Sequence, residues 1–376
     1  MIYFDNSSTT SVSPEVLHVY TQLLKDLYGN PDSLHGVGRK AGQLMEKSRA
    51  AIAGMLRVRP DEILFTGSAS ESNTLAVVGY ALANQSRGKH VLISNVEHAS
   101  VAHSADFLQM LGFEVDTLPI NEQGIVTPEI VKKHMRKDTI LVSCMHVNNE
   151  MGAINPIEDI EKVVHSHPTC KFHVDCVQSF SKIDIPVSSL DMMTLSAHKI
   201  HGLKGSALLM KKKNIRLLPV VQGGQQEQGL RGGTQNAPVN IVLAKTIRLA
   251  LEQQEASYKK VSQINQWLRK QIIQIPGANI HSPENALPYI LNIGFDSLTS
   301  EVLLNALDER GICVSAKSTC SSHGSNESQV LKAMGKSQKD ATHMIRLSFS
   351  KDNTMEQAET FIQVCKEIID QYGLSL

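Results

Sequence analysis

Short apolar runs recur through the first two-thirds of the chain, and helical patterns separate them. "EILF" (62–65) precedes "SNTLAVVGYALAN", and "HVLIS" (90–94) precedes "SVAHSADFLQMLG". Further runs are "DTILVSCMHV" (138–147), "KFHV" (171–174), "MMTLSA" (192–197) and "SALLMK" (206–211). Strands alternating with helices imply a mostly parallel sheet covered on both faces. The fold class read here is therefore α/β.

From about 236 to 275 the pattern becomes one long helical stretch, closed by Pro276 and Gly277. Beyond it, "YILNIGF" and "MIRLSF" (344–349) alternate as strands do, and "EVLLNALDERG" reads as a helix ended by Gly311. Thr354 and Gln357 have capping-box spacing at the start of a final helix. A chain of 376 residues exceeds one core of ordinary size. We therefore expect a large α/β domain at 15–254 and a smaller α+β domain made of 1–14 and 255–376.

Lysine plus arginine equals aspartate plus glutamate, 37 against 37, so charge gives no reason to expect nucleic acid or an acidic membrane as a direct partner. The start, "MIYFDNSSTTSVSPEV", lacks the basic and apolar regions of a signal peptide, and no window approaches bilayer-spanning length. Six cysteines (144, 170, 176, 313, 320, 365) fall at irregular spacing without a CxxC. They read as reduced thiols of a cytoplasmic protein and not as a disulfide framework.

In open α/β sheets, ligands bind beyond the carboxyl ends of the strands. The residues that follow the apolar runs are "TGSASESN", "NVEH", "NNE", "DCVQS" and "HKIHG". Five strand ends thus present Ser70, His98, Asn149, Asp175, Gln178, His198 and Lys199 to one place. "TGSASES" is either a plain capped helix, with Ser68 and Glu71 as a capping box, or an anion cradle at a helix start. Neither GxGxxG nor GxxxxGK[ST] occurs, so no dinucleotide or P-loop nucleotide is indicated. Lys199 is either a surface lysine at a strand end or an amine drawn into a cleft, where desolvation frees it to form a Schiff base. Asp175 is either an ordinary loop carboxylate or a buried one paired with a cation. A Schiff-base lysine, an aspartate for a pyridinium nitrogen and a phosphate cradle together make a pyridoxal phosphate site.

Four other stretches carry candidate residues. "HSHPTCKFHVDC" holds His165, His167, Cys170, His173 and Cys176. A strand through it turns His173 and Cys176 to opposite faces, and the spacing matches no standard zinc pattern, so no metal is expected. "QGGQQEQGLRGGT" (222–234) reads on its own as a flexible glycine-rich loop. Arg346, alternating with apolar neighbours in "IRLSF", is either a solvated edge residue or a fork for a carboxylate. Cys320, in "VSAKSTCSSHGSNES", is a lone thiol in a polar run, where cysteine is usually a buried hydrophobe.

In order, "YFDNSSTT", "GNPDSLHG", "ASESN", "EHASV", "MHVNNEMG", "HVDCVQS", "SAHKIHGLKG", "RGGT" and "IRLSF" resemble the cysteine desulfurases of the class V aminotransferase superfamily. The likeness runs from about residue 2 to 350. It implies the fold type I architecture of pyridoxal phosphate (PLP)-dependent transferases, with a seven-stranded type of sheet. The short segment around Cys320 resembles group I, the nitrogen-fixation and housekeeping iron–sulfur branch.

The resemblance also implies roles. Lys199 would bind pyridoxal 5'-phosphate covalently and move protons between carbon centres. Asp175 would pair with the pyridine nitrogen, His98 would stack on the ring and assist acid–base steps, and Gln178 would bond the ring hydroxyl. Ser70, Ser196 and His198 would hold the phosphate with N–H groups near Ala69. Thr234 would reach the phosphate of a neighbouring subunit, which implies a homodimer. Asn149 and Arg346 would hold the carboxylate of L-cysteine. Cys320 would take the substrate sulfur as a persulfide, release L-alanine and pass sulfur to an acceptor protein, an iron–sulfur scaffold or a tRNA-thiolation enzyme.

The sequence departs from the family at several points. "AKSTC" stands for the commoner "SGSAC", and Lys317 either lowers the pKa of the Cys320 thiol or merely solvates its segment. "TGSASES" keeps a hydroxyl at Ser70 where "TSGATES" has threonine, and "RGGT" keeps Thr234. "DCVQ" for "DATQ" puts Cys176 beside the site with no role to explain it.

Overall fold

The computed structural model describes residues 1–316 and 327–372. Its first eight strands are β1 (Ile2–Tyr3), β2 (Ile63–Thr66), β3 (His90–Ser94), β4 (Glu114–Leu118), β5 (Thr139–Ser143), β6 (Lys171–Asp175), β7 (Met192–Ser196) and β8 (Ala207–Lys211). Seven of them form one sheet in the order β2-β8-β7-β6-β5-β3-β4. β8 runs antiparallel to both neighbours, and all other pairings are parallel. The α/β fold with a mostly parallel seven-stranded sheet is the one expected.

Every residue of β2, β3, β5, β7 and β8 is buried, which is why these strands read as unbroken apolar runs and not as alternation. The edge strand β4, "EVDTL", escapes that reading because three of its five residues are exposed. Because β2 and β7 both oppose β8, the carboxyl ends of β2, β3, β5, β6 and β7 share one edge of the sheet.

One apolar layer, with Ile52, Met193 and Leu243, and another, with Val77, Tyr80 and Leu108, form separate clusters of the large sheet's core. The helical stretch after β2 runs from Ala69 to Asn84 through a π-type segment, Leu75–Gly79. Gly79 is required there, since a Cβ would lie 2.6 Å from the Leu218 carbonyl oxygen.

The remaining strands are β9 (Ala278–Ile280), β10 (Ile290–Phe295), β11 (Ile312–Cys313) and β12 (Met344–Ser348). β12, β10 and β9 make an antiparallel sheet, while β11 pairs in parallel with β1. A third apolar cluster gathers Phe4, Leu268, Ile293, Leu347 and Phe361, with Phe4 packed edge-on against Phe349 and Phe361. Burying Phe4 contributes about 1.5–3 kcal/mol and ties the start of the chain to its end.

The single long helix expected over 236–275 is two helices, Ala237–Glu252 and Gln254–Ile272, parted at Gln253. The first contributes Leu243 and Ile247 to the large sheet's core, and the second contributes Val261, Ile264 and Leu268 to the third cluster. A break lets each apolar stripe meet its own core. Among the described residues, no helix is long and apolar enough to cross a membrane.

Candidate active site

The polar residues that follow β2, β3, β5, β6 and β7 line one cleft of about 210 Å³, together with Ser7, Ser8 and Arg346. Ala69, Ser70, His98, Asn149, Asp175, Gln178, His198 and Lys199 are all on its wall. Ser196 is buried at the end of β7 and does not line it. Thr234 is exposed and lies off the cleft of its own chain. Cys320 and Lys317 lie outside the described residues.

The lysine is held by the chain's first residues. Lys199 Nζ donates to the carbonyl oxygens of Ser7 at 2.6 Å and Ser8 at 2.8 Å. Thr10 fixes that segment: its N–H and its hydroxyl both donate to His198 O, and Thr10 Oγ1 accepts from His201 N. His201 sits at φ 63, a left-handed turn that closes the loop after β7. The motif "YFDNSSTT" was legible as a motif, but the job of Ser7 and Ser8 was not, because it is carried by backbone carbonyls.

Asp175 ends β6 and is 7% exposed. Its Oδ1 accepts from Val177 N at 2.9 Å and its Oδ2 from Asn73 Nδ2 at 2.8 Å. Asn73 gives its other hydrogen to Ser100 Oγ at 2.9 Å, and that hydroxyl lies 2.8 Å from His98 Nδ1. His98 caps the helix Ala99–Met110, accepting on Nδ1 from Ser100 N. The proton of the neutral ring is then on Nε2. Burial, opposed by Asp175 and aided by Lys199, pulls the His98 pKa down, so the ring is an uncharged base. His198 is pulled further, to about 4, by burial and by Lys199. The sequence pattern does not mark Asn73, because it is the fifth residue of a helix and follows no strand directly.

The start of the Ala69–Thr74 helix lines the cleft. Ser68 Oγ accepts from Glu71 N, but the Glu71 carboxylate turns to Gly67 N and to Arg231 at 2.8 Å, so the expected capping box is half formed. The first N–H groups of the helix, at Ala69 and Ser70, have no acceptor within it. Arg346, 1% exposed, donates to Asn149 O, Asp5 Oδ1 and Ser8 Oγ, while its Nε has no partner. Arg346 is thus buried and is not a solvated edge residue.

The His and Cys cluster around 165–176 is otherwise engaged. His165 pairs with Asp191 and Glu161, and His173 lies between Ser143 and Thr194. Among the described residues no group of His, Cys, Asp or Glu is placed to hold a metal ion. The donor set of the cleft is instead an amine, a buried carboxylate, a helix start and an arginine with an unpartnered nitrogen. That set fits pyridoxal 5'-phosphate with an amino acid beside it.

The Aminotransferase class-V family matches residues 2–361. The chain therefore belongs to the class-V aminotransferases, PLP-dependent enzymes of fold type I. A NifS/IcsS protein homolog of Lactobacillus delbrueckii subsp. bulgaricus is 41% identical over 99% of this chain and 98% of its own length. Cysteine desulfurase IscS 1 of Archaeoglobus fulgidus is 34% identical over 99% of this chain and 97% of its own. The solved structure of a NifS-like protein superposes with a TM-score of 0.92 at 35% identity, over 98% of this chain and 99% of that one. Within its family, the chain is a PLP-dependent cysteine desulfurase of the IscS/NifS kind.

Proposed function

We propose that this enzyme converts L-cysteine to L-alanine, leaves the sulfur as a persulfide on Cys320, and surrenders it from there to an acceptor protein. The observation that carries the reading is the convergence of Lys199, Asp175 and Arg346 on one cleft. Asp175 and Gln178 would hold the cofactor ring, and Ala69, Ser70 and His198 its phosphate, with Ser196 buried behind them. When bound, pyridoxal phosphate supplies the electron sink that lets bonds at the substrate's α- and β-carbons break. Lys199 would carry the proton between those carbons. His98, an uncharged base, would assist it. Asn149 and Arg346 would receive the substrate carboxylate.

The Cys320 thiolate would attack the substrate sulfur. The bond from sulfur to the β-carbon breaks with its electrons leaving on carbon, which takes up a proton, so that cysteine plus enzyme thiol becomes alanine plus enzyme persulfide. Both flanks of the segment holding Cys320 are tied beside the cleft, which supports this. Ser315 exchanges backbone bonds with Arg346, and Ser328 Oγ donates to Glu150 Oε2 at 2.7 Å.

The acceptor we favour is an iron–sulfur scaffold or a tRNA-thiolation enzyme, in the cytoplasm. Thr234, exposed and off its own cleft, would complete the phosphate site of a second subunit in a homodimer. The division into 15–254 and 1–14 with 255–376 is supported by the separate apolar cluster that joins Phe4 to the C-terminal strands.

The test is Cys320→Ser. The variant should keep bound cofactor and its spectrum but retain no sulfur from radiolabelled cysteine. Full-rate sulfide release by that variant would overturn the assignment.

A further inference from the structure

Lys182, four residues beyond Gln178 on the turn after β6, is 8% exposed. Its Nζ donates to Gln178 Oε1 at 3.4 Å and lies 5.6 Å from the centre of the Tyr289 ring. It projects into a second, small cavity of about 50 Å³ whose other charged or titratable walls are Lys199, His201, Tyr289 and Lys351. No carboxylate lines that cavity among the described residues. Lys199 borders both this cavity and the cleft, so the two lie back to back. Burial, then the nearby Lys199, lowers the Lys182 pKa to about 7.

A glutamine amide can be turned either way with little change of shape, and only its partners decide which end is the donor. Here both ends are specified. Gln178 Nε2 donates to Ser7 O at 3.0 Å, the same carbonyl that accepts from Lys199, and Oε1 accepts from Lys182. Lys182 thereby occupies the amide oxygen, and the second hydrogen of Nε2 is left for the cleft.

We propose that Lys182 is a positioning residue that locks the Gln178 amide with its NH₂ toward the cleft, ready to donate to the ring oxygen of pyridoxal phosphate. This rests on the reading of the cleft given above. It assigns to Lys182 no contact with cofactor or substrate; the residue acts through Gln178.

The test needs no turnover. It uses the pH midpoint of the visible absorption of bound pyridoxal phosphate in the wild-type holoprotein, Lys182→Met, Gln178→Ala and the double variant. Losing a donor to an anionic ring oxygen raises the proton affinity of the chromophore. The midpoint should therefore rise by about one unit in either single variant. Adding Lys182→Met to Gln178→Ala should then move it no further.

An equal shift from Lys182→Met in both backgrounds would show that the lysine acts by charge alone, and no shift would show that it does not act. Either result overturns the proposal. If the methionine variant does not fold, Lys182→Gln keeps an N–H donor without the charge. A midpoint near wild type then supports the proposal, and a shift of equal size in the Gln178→Ala background overturns it. A wild-type protein that gains no visible absorption with pyridoxal phosphate would overturn the reading of the cleft, and this proposal with it.

Discussion

Lys199 Nζ lies 2.6 Å from the carbonyl oxygen of Ser7, across 192 positions of sequence. A lysine at the end of β7 is thus gripped by residues that enter the fold through the β1–β11 pairing and the burial of Phe4. The amine's position depends on the chain's beginning meeting its end. That is a structural reason for the N-terminal motif to contain small polar residues, which let the backbone approach the lysine.

Lys199→Ala should remove the amine and leave the rest of the cleft standing. Borohydride reduction fixes the cofactor to an enzyme that holds it through a lysine imine. It should fail to do so in the variant, whose cofactor should wash out on gel filtration. Alanine formation should fall by roughly 10²–10⁴-fold, the range for a positioned proton-transfer group. Retention of covalently fixed cofactor would place the attachment elsewhere.

Asn73 joins two site residues with one amino group, at 2.8 Å to Asp175 and 2.9 Å to Ser100. It is fully buried. Asn73→Ala strips a hydrogen bond from a buried carboxylate and frees the hydroxyl beside His98. We expect a loss of roughly 1.5–3 kcal/mol in urea-induced unfolding, the range for a bond to a charged group. Cofactor should also dissociate faster from the variant, measured by the decay of visible absorption on dilution. Unchanged stability would mean that water replaces the amide.

Much of this was legible in the sequence, for a physical reason. Strands buried on both faces leave continuous apolar runs, and the residues after them are placed by the sheet, so Lys199, Asp175 and His98 could be found without a structure. What stayed hidden acts through backbone or from inside another element. Ser7 and Ser8 work by their carbonyls, Asn73 sits in mid-helix, and β4 is an exposed edge without an apolar run. The loop 222–234 read as flexible because its composition is glycine-rich and polar. Two ion pairs pin it, Arg231 to Glu71 and Glu227 to Arg49, the latter across 178 positions.

Glu97 sets a pH dependence. Its carboxyl is enclosed: Oε1 accepts from Ser94 Oγ and Met145 N, while Oε2 has no partner. Burial raises its pKa from 4.5 to about 8, with Asp175 adding to the rise. A raised acid favours the folded state while protonated. Its contribution is full below pH 4.5, falls as pH rises, and is gone above about 8. Glu97→Gln keeps the neutral shape. The stability of wild type relative to this variant should therefore decline steadily between those limits, measured by urea unfolding at a series of pH values. A difference independent of pH would mean that Glu97 is ionised throughout.

Glu227 pins the glycine-rich loop through buried bonds. Both of its carboxylate oxygens lie 2.8 Å from guanidinium nitrogens of Arg49, and it also accepts from Phe65 N and Gln235 Nε2. Its backbone is left-handed at φ 48, and both members of the pair are about nine-tenths buried or more. Through it the loop that ends at Thr234 is bound to the helix Gly36–Leu56 and to β2. Glu227→Ala leaves the buried guanidinium with only the exposed Glu46 carboxylate and the Ile63 carbonyl, which should destabilise the fold by roughly 3–5 kcal/mol. Arg49→Met in the same chain removes the stranded charge. The double variant should therefore be more stable than Glu227→Ala alone, compared by thermal unfolding. If adding Arg49→Met instead destabilises the chain further, the bonds of Arg49 to Glu46 and to Ile63 O outweigh the stranded charge, and the pair is not acting as a unit.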